Sequence, residues 1–273
     1  MSQAEAEAEQ LVEDFGLSLP IKPKELCEQI STDDLSVNYS EESFQSLDIC
    51  GLSIQHGNKV KVVVNSNINT LGRKNFTAAH EIGHVILHIQ TGEQSEFQCT
   101  KNDLYGSQGK NIDFEKEANQ FASSLLMPKS LIHKQIKKND LSWKLIQELS
   151  KKCASSLEAT ARRVITISNE MCALIIHKKG EMWTPIRSPS FTVYVDSIPF
   201  PNNLETAPDI PVEDIPDYLN ECDTIDWILN KKNLPDTIYY SSVRNDEFDR
   251  TMTLLIVPEI DEDDDDEWEE PNF

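Results

Sequence analysis

Two histidines and a glutamate lie within five residues of one another in the segment His80-Glu81-Ile82-Gly83-His84. Residues four apart on an α-helix lie one turn apart on nearly the same face, so both imidazoles can reach one metal ion. Zinc binds imidazole nitrogen at about 2.0–2.1 Å, and a catalytic zinc site uses three protein ligands and leaves one position open. Glu81 can take a proton from a water molecule at the metal. The HExxH spacing therefore predicts Zn2+ bound by His80 and His84, with Glu81 as the general base of a hydrolysis.

The residues around this segment argue against the plainer interpretation of two surface histidines on a solvated helix. The apolar positions between residues 78 and 89 are Ala78, Ala79, Ile82, Val85, Ile86, Leu87 and Ile89. A helix that is apolar around much of its circumference is buried, and buried polar side chains need partners. A metal ion would give the two histidines a reason to be buried.

A second acidic helix downstream offers a third ligand. Glu115, Ala118, Asn119 and Ala122 share one face of it, because they follow the i, i+3, i+4, i+7 spacing. The small residues allow another helix to approach closely, and the amide of Asn119 could orient a ligand. Glu117 lies about 160° around the axis from Glu115. We therefore predict Glu115 as the third ligand, and Glu117 remains the alternative.

Two further residues have weaker claims to a role in the site. His88 lies one more turn along the first helix, some 6 Å beyond His84, which is too far for the same ion. We predict that it hydrogen-bonds beneath the site instead. Tyr105, in a surface loop predicted over 91–112, could steady an oxyanion, although surface tyrosines without a role are more common.

Two motifs in this order also carry a family resemblance. The first is Phe76-Thr77-Ala78-Ala79-His80-Glu81-Ile82-Gly83-His84-Val85-Ile86-Leu87-His88, and the second is Glu115-Lys116-Glu117-Ala118-Asn119-Gln120-Phe121-Ala122-Ser123-Ser124-Leu125-Leu126-Met127-Pro128. Together they resemble the ImmA/IrrE family of metallopeptidases, over roughly residues 10–130. The resemblance implies His80 and His84 as zinc ligands, Glu81 as base and the acidic helix as donor of the third ligand. It also implies a helix-turn-helix repressor as substrate, cleaved after stress or DNA damage.

The rest of the sequence predicts short elements of both kinds. Predicted helices cover residues 4–15, 23–30, 75–90, 113–127, 129–137, 141–152 and 156–168. Predicted strands cover 47–54 and 59–64, joined as a hairpin, and then 172–177, 181–183, 191–195 and 251–257. Residues 225–229 could be a short helix or a strand. The change from helical to β-rich sequence near 169–171 predicts a domain boundary there.

Composition and cysteine usage indicate a protein of the cytoplasm. No apolar run approaches the roughly 20 residues that would cross a bilayer, and the acidic N-terminus lacks the basic and apolar regions of a signal peptide. The six cysteines include no Cys-x-x-Cys pair, which favours reduced thiols over a disulfide framework or a cysteine zinc site. We expect no membrane partner.

The net charge of −22 is distributed unevenly along the chain. Residues 129–188 carry 12 Lys and Arg against 5 Asp and Glu, a net charge of +7. That segment allows a nucleic-acid trigger, although the overall balance argues against constitutive DNA binding. The acidic run at 261–267 self-repels, so residues 259–273 are predicted to be a disordered, solubilising tail.

These inferences combine into an α+β protein of two domains. Residues 1–170 are predicted to be a zincin-like, gluzincin-like metallopeptidase domain with a small antiparallel sheet, the HExxH helix and a helical extension at 129–170. Residues 171–258 are predicted to be a smaller, β-rich α+β regulatory domain, for which a GAF-like sensor is one candidate. The predicted function is zinc-dependent cleavage of a repressor under a stress signal. The alternative is a non-proteolytic zinc protein that binds and sequesters a repressor.

Overall fold

The chain forms two compact units that both contain regular secondary structure. The computed structural model describes residues 2–46, 48–104, 112–178, 181–183, 185–195, 215, 218–229, 233–245 and 249–259. The first unit is Met1–Asp140 with Leu145–Arg163, and the second is Leu141–Lys144 with Val164–Phe273. Helices and strands both occur throughout, so the chain is α+β. That residues 1–170 and 171–258 are separate functional domains stays a prediction.

The elements up to residue 167 include those that carry the predicted site residues. In chain order they are α1 (Gln3–Asp14), α2 (Pro23–Gln29), β1 (Ser36–Glu42), β2 (Ile49–His56), β3 (Lys59–Asn65), α3 (Leu71–His84), a π-helical turn (Val85–Ile89), β4 (Glu96–Thr100), α4 (Lys101–Leu104), α5 (Ile112–Leu126), α6 (Lys129–Ile136), α7 (Trp143–Cys153) and α8 (Leu157–Ile167). The predicted helices of this region are present, and α3 begins four residues before the predicted position 75.

The predicted hairpin is present and forms the centre of a sheet. In the described part of the chain this sheet has the order β1-β3-β2-β4, with β2 antiparallel to both β3 and β4. Apolar residues dominate β3, in which Val60, Val62, Val63 and Val64 are all buried. Gly57, with a φ of +62°, lies in the turn between β2 and β3, where a left-handed conformation favours glycine.

Two predictions for this sheet were wrong. The sheet is mixed and not wholly antiparallel, because β1 pairs in parallel with β3. Strand β1 is polar apart from the buried Val37, so its sequence lacks the apolar alternation by which strands are recognised. Residues 91–112 are not one loop, because β4 lies among them. Phe97 and Cys99 alternate with exposed or half-buried polar neighbours, which is the pattern of a half-buried strand.

Helices α3 and α5 pack against each other at Gly83. A Cβ atom on Gly83 would lie 3.1 Å from Cδ1 of Phe121 and 3.2 Å from Cα of Ala118. Ala118 and Ala122 are fully buried, so small residues bring the two helix backbones close together as their spacing predicted. This approach sets the distance between the histidines of α3 and the carboxylates of α5.

The second unit contains a second sheet, and only some of its strands were predicted. Its strands are β5 (Cys172–Lys178), β6 (Glu181–Met182), β7 (Ile186–Arg187), β8 (Asn220–Asp223), β9 (Thr237–Asn245) and β10 (Arg250–Ile256). Strand β10 pairs antiparallel with β5 and β9, at the centre of the sheet. Residues 191–195 form no strand, although Phe191 and Val195 are buried. Residues 224–226 form a 3-10 turn. The GAF-like architecture and the sensor role stay predictions.

Some predictions concern segments that the structure does not describe. Tyr105 and the acidic run at 261–267 both lie outside the described residues. Among the residues that are described, no helix combines the length and the apolarity that a bilayer crossing requires. All six cysteines are buried and form no disulfide with one another.

The close approach at Gly83 generates a prediction about stability. The variant Gly83→Ala should lower the free energy of unfolding by about 1–3 kcal/mol, because the added methyl overpacks the contact with Ala118 and Phe121. Helix propensity alone predicts a gain of about 1 kcal/mol for the same change. Denaturant unfolding of both proteins measures the difference. An unchanged or raised midpoint for Gly83→Ala would show that the helices do not approach as closely as described.

Candidate metal centre

The last turn of α3 brings two imidazoles together in the interior. His80 and His84 are both 0% exposed, and their Nε2 atoms lie 3.1 Å apart. The rings meet edge to face, with centroids 4.7 Å apart. The four-residue spacing on one helical face produces this pair, as the sequence predicted.

Glu115 on α5 completes a triangle with these two nitrogen atoms. Its Oε2 lies 3.1 Å from Nε2 of His80 and 3.5 Å from Nε2 of His84. Tetrahedral ligands at bond lengths of about 2.0–2.1 Å are about 3.3–3.4 Å apart, so the three atoms suit one ion with little movement. Two imidazoles and one carboxylate are also a ligand set that catalytic zinc uses. The residues therefore fit a metal ion, and this group could hold one.

Asn119 fixes which nitrogen of His80 faces that triangle. The amide Nδ2 of Asn119 donates to the backbone oxygen of Asp103 at 2.7 Å, so Oδ1 is the amide atom that faces His80. Nδ1–H of His80 donates to this oxygen at 2.9 Å. Nε2 is then the ring nitrogen that can offer a lone pair to a metal. Asn119 therefore orients His80, in agreement with the prediction from its position on the same helix face as Glu115.

A chain of hydrogen bonds orients His84 in the same way. If Nε2 of His84 faces the metal group, Nδ1 carries the proton, and it donates to Nδ1 of His88 at 3.0 Å. Nε2–H of His88 then donates to Oε2 of Glu117 at 3.0 Å. We call these three residues the His84–His88–Glu117 chain. Glu117 thus faces His88 and lies outside the triangle, with 54% of its side chain exposed.

The protonation states of the triangle favour cation binding. Burial lowers the pKa of His84 to about 4, so this imidazole is neutral at pH 7. Burial opposes ionisation of Glu115, but its close contacts with His80 and His84 outweigh it and lower the pKa of Glu115 to about 2. Burial also disfavours a charged His80, yet the contacts with Glu115 and Glu81 raise the pKa of His80 overall. A proton at His80 therefore occupies the place that a cation would take, and metal binding should release it.

Glu81 lies beside the triangle and is completely buried. Burial raises the pKa of its carboxyl to about 7, so it can exchange a proton near neutral pH. The hydroxyl of Ser53, on β2, donates to Oε2 of Glu81. Gly51, two residues earlier on the same strand, makes room for the carboxylate, because a Cβ there would lie 2.4 Å from Oε1. Strand β2 thus sets the position of the predicted base.

Strand β4 and α5 add an aromatic wall on the other side of His84. The ring of Phe97 stacks on His84 with centroids 4.1 Å apart and an interplanar angle of 11°. Phe114 packs against His88 at 4.7 Å and against Phe97 at 5.8 Å. The imidazoles are therefore held by apolar contacts on their faces and by hydrogen bonds at their edges.

The structure brings His80, Glu81, His84 and Glu115 together. Their roles as ligands and base stay predictions, because proximity alone assigns no chemistry. Sequence reasoning did not identify the part of β2 and β4 that faces α3, which carries Gly51, Ser53, Phe97 and Cys99. The alternation of apolar and polar residues at 96–100 was the one sequence signal for these contacts. Pairing between distant strands leaves no pattern of local spacing in the sequence.

Comparisons with known proteins agree with the two motifs. The family model described as IrrE N-terminal-like domain, Peptidase_M78, matches residues 32–165. A solved structure of a Mycobacterium tuberculosis transcriptional regulator is similar with a TM-score of 0.55, covering 94% of this chain and 88% of that chain. The identity is 10%, so this likeness shows the fold alone. No curated protein matches the sequence.

The triangle predicts which substitutions remove the metal. Purified protein should hold about one zinc ion per chain, and His80→Ala, His84→Ala and Glu115→Gln should each lose most of it after dialysis, because two remaining ligands bind weakly. Glu117→Gln is the matched control for Glu115→Gln and should retain far more zinc, since Glu117 lies outside the triangle. Metal analysis of the dialysed proteins measures the zinc content per chain of each variant. If Glu117→Gln loses zinc and Glu115→Gln keeps it, the ligand assignment is reversed.

The His84–His88–Glu117 chain predicts a separate effect at His88. Replacing His88 by Met fills the space but removes the acceptor for His84 Nδ1–H, so zinc affinity should fall by about 10–100-fold. Replacing His88 by Gln offers an amide oxygen as acceptor and should lose much less. Competition against a chromophoric zinc chelator measures both affinities. Equal losses in the two variants would mean that His88 supports the site through packing alone.

Proposed function

The chain belongs to the ImmA/IrrE family through its IrrE N-terminal-like domain, and from this premise we propose that it is a zinc-dependent endopeptidase of zincin-like type. The observation that carries the proposal is the triangle of His80, His84 and Glu115 with the buried Glu81 beside it. A purely structural zinc site is closed by four protein ligands and has no use for a base. Three ligand atoms and an adjacent carboxylate suit hydrolysis better.

Each residue of the site has a distinct task in this proposal. Zinc held by His80, His84 and Glu115 would supply Lewis acidity toward the scissile carbonyl and acidify water. Glu81 takes the proton of the attacking water and later returns it to the leaving amine. Ser53 donates to Oε2 of Glu81 and so orients the carboxylate. A pKa near 7 suits this exchange, because neither protonation state is strongly disfavoured at neutral pH.

The proposed substrate is a helix-turn-helix repressor, as the family resemblance implies. The formal net charge of −22 supports this substrate, since the DNA-binding surface of a repressor is basic. Opposite charges accelerate association at low ionic strength and have less effect at high salt. The reaction would take place in the cytoplasm, where the repressor acts. A stress or DNA-damage signal would control cleavage, and the nucleic-acid trigger suggested by residues 129–188 stays a prediction.

Substitution of the base separates an enzyme from a binding protein. Glu81→Gln keeps the size and the ligand triangle but cannot accept the proton, so cleavage should fall by at least 10²–10⁴-fold, roughly what a general base contributes. Zinc content and repressor binding should persist. Glu28→Gln, an exposed carboxylate on α2, is the matched control and should cleave like the unchanged protein.

The assay uses the full chain, one equivalent of zinc and the repressor encoded nearest to its gene. Single-stranded DNA and stress metabolites are added in turn, and mass spectrometry of the products locates any cut. If the unchanged protein and Glu81→Gln both relieve repression while the repressor remains whole, the peptidase proposal fails. The non-proteolytic zinc regulator that sequesters a repressor would then replace it.

A further inference from the structure

Cys99 lies beside the base, outside the triangle. It pairs with Gly51 across β2 and β4, and paired residues of an antiparallel sheet present their side chains on the same face. The missing Cβ of Gly51 leaves room for Glu81 on that face. As a result, the Sγ atom of Cys99, a carboxylate oxygen of Glu81 and a ring nitrogen of His80 all lie within 4.8 Å of one another. All three residues are completely buried.

A second observation shows that this group lacks a partner. Oε2 of Glu81 accepts from Ser53, but among the described residues none donates a hydrogen bond to Oε1. A fully buried carboxylate oxygen without a donor is unusual and calls for a cation or a ligand. The thiol of Cys99 donates a hydrogen bond of 3.6 Å to the backbone oxygen of Thr100, and a thiol is a weak donor. A carboxylate with one unpaired oxygen and a weakly hydrogen-bonded thiol thus lie close together beside a histidine.

We propose that Cys99, Glu81 and His80 form a second metal position, here called the thiol position, which binds a thiophilic divalent cation such as Cd2+. Thiolate sulfur prefers soft ions, whereas the triangle offers only nitrogen and oxygen. Binding breaks the S–H bond, forms a sulfur–metal bond and releases the proton to solvent. The ligand atoms are at most 4.8 Å apart, so a shift of at most about 1.3 Å brings them to the roughly 3.5 Å between imidazole and thiolate ligands of one ion.

The thiol position and the triangle exclude each other. Nδ1–H of His80 is committed to Asn119, so Nε2 carries the one lone pair that either position can use. An ion at the thiol position also takes Glu81 as a ligand, which removes the base. Thiophilic cations should therefore inhibit hydrolysis. This inhibition rests on the proposed function, whereas metal binding through Cys99 does not.

The test uses the metal-free protein, with all 273 residues of the chain, titrated with Cd2+. Thiolate-to-cadmium charge-transfer absorption should appear and saturate at one ion per chain. Cys99→Ser should abolish it. Cys50→Ser is the matched control, because Cys50 is buried on β2 but lies outside the group, and it should keep the absorption. If Cys99→Ser keeps the absorption, or the unchanged protein shows none, the proposal is overturned. The zinc content of Cys99→Ser and of a second variant, Cys99→Ala, shows whether a loss of the cadmium absorption is caused by misfolding.

Native mass spectrometry then tests whether the thiol position and the triangle exclude each other. Protein loaded with one zinc ion should exchange it for cadmium and remain at one metal per chain, whereas a species with both ions would contradict the shared histidine. Cleavage of the repressor is followed in the same samples. If the zinc-loaded protein cleaves nothing under any trigger, the peptidase proposal fails, while the absorption experiment still decides the thiol position. If cadmium binds through Cys99 but cleavage continues unchanged, the inhibitory role is wrong.

Discussion

The site depends on one steric constraint, the close approach of α3 and α5. Gly83 has no side chain, and Ala118 lies directly across from it, with its Cα 3.2 Å from the point where a Cβ would be. This contact brings the carboxylate of Glu115 within 3.1–3.5 Å of both histidine nitrogens. Those distances match the edges of one tetrahedral metal site, so helices held further apart by a larger residue would no longer present three converging ligands.

Burial of so many polar groups is tolerated because nearly every one is paired. Asn119 accepts from His80, His88 accepts from His84, and Ser53 donates to Glu81. Each bond also restricts a ring or a carboxylate to one orientation, which prepares the site for a cation before it arrives. Oε1 of Glu81 is an exception, since among the described residues none donates a hydrogen bond to it.

Helical periodicity is the part of this architecture that the sequence made predictable. The four-residue spacing of His80 and His84, and the shared face of Glu115 and Asn119, follow from local geometry that tertiary contacts did not change. Strand contributions were missed because they depend on pairing between distant residues. Strand β1 is too polar to be recognised, and Ser53 reaches Glu81 only because β2 crosses beneath α3. In the second unit β8 is short and polar, whereas β9 was missed although its Ile, Tyr and Val residues are typical of strands.

The most direct test of the central claim is the first coordination shell of the metal. X-ray absorption at the zinc edge, recorded on protein with one equivalent of zinc, distinguishes nitrogen and oxygen from sulfur. We expect two imidazoles and further light-atom ligands at about 2.0–2.1 Å, without sulfur. A sulfur ligand at about 2.3 Å, or a shell with fewer than two imidazoles, would show that His80, His84 and Glu115 are not the primary metal centre.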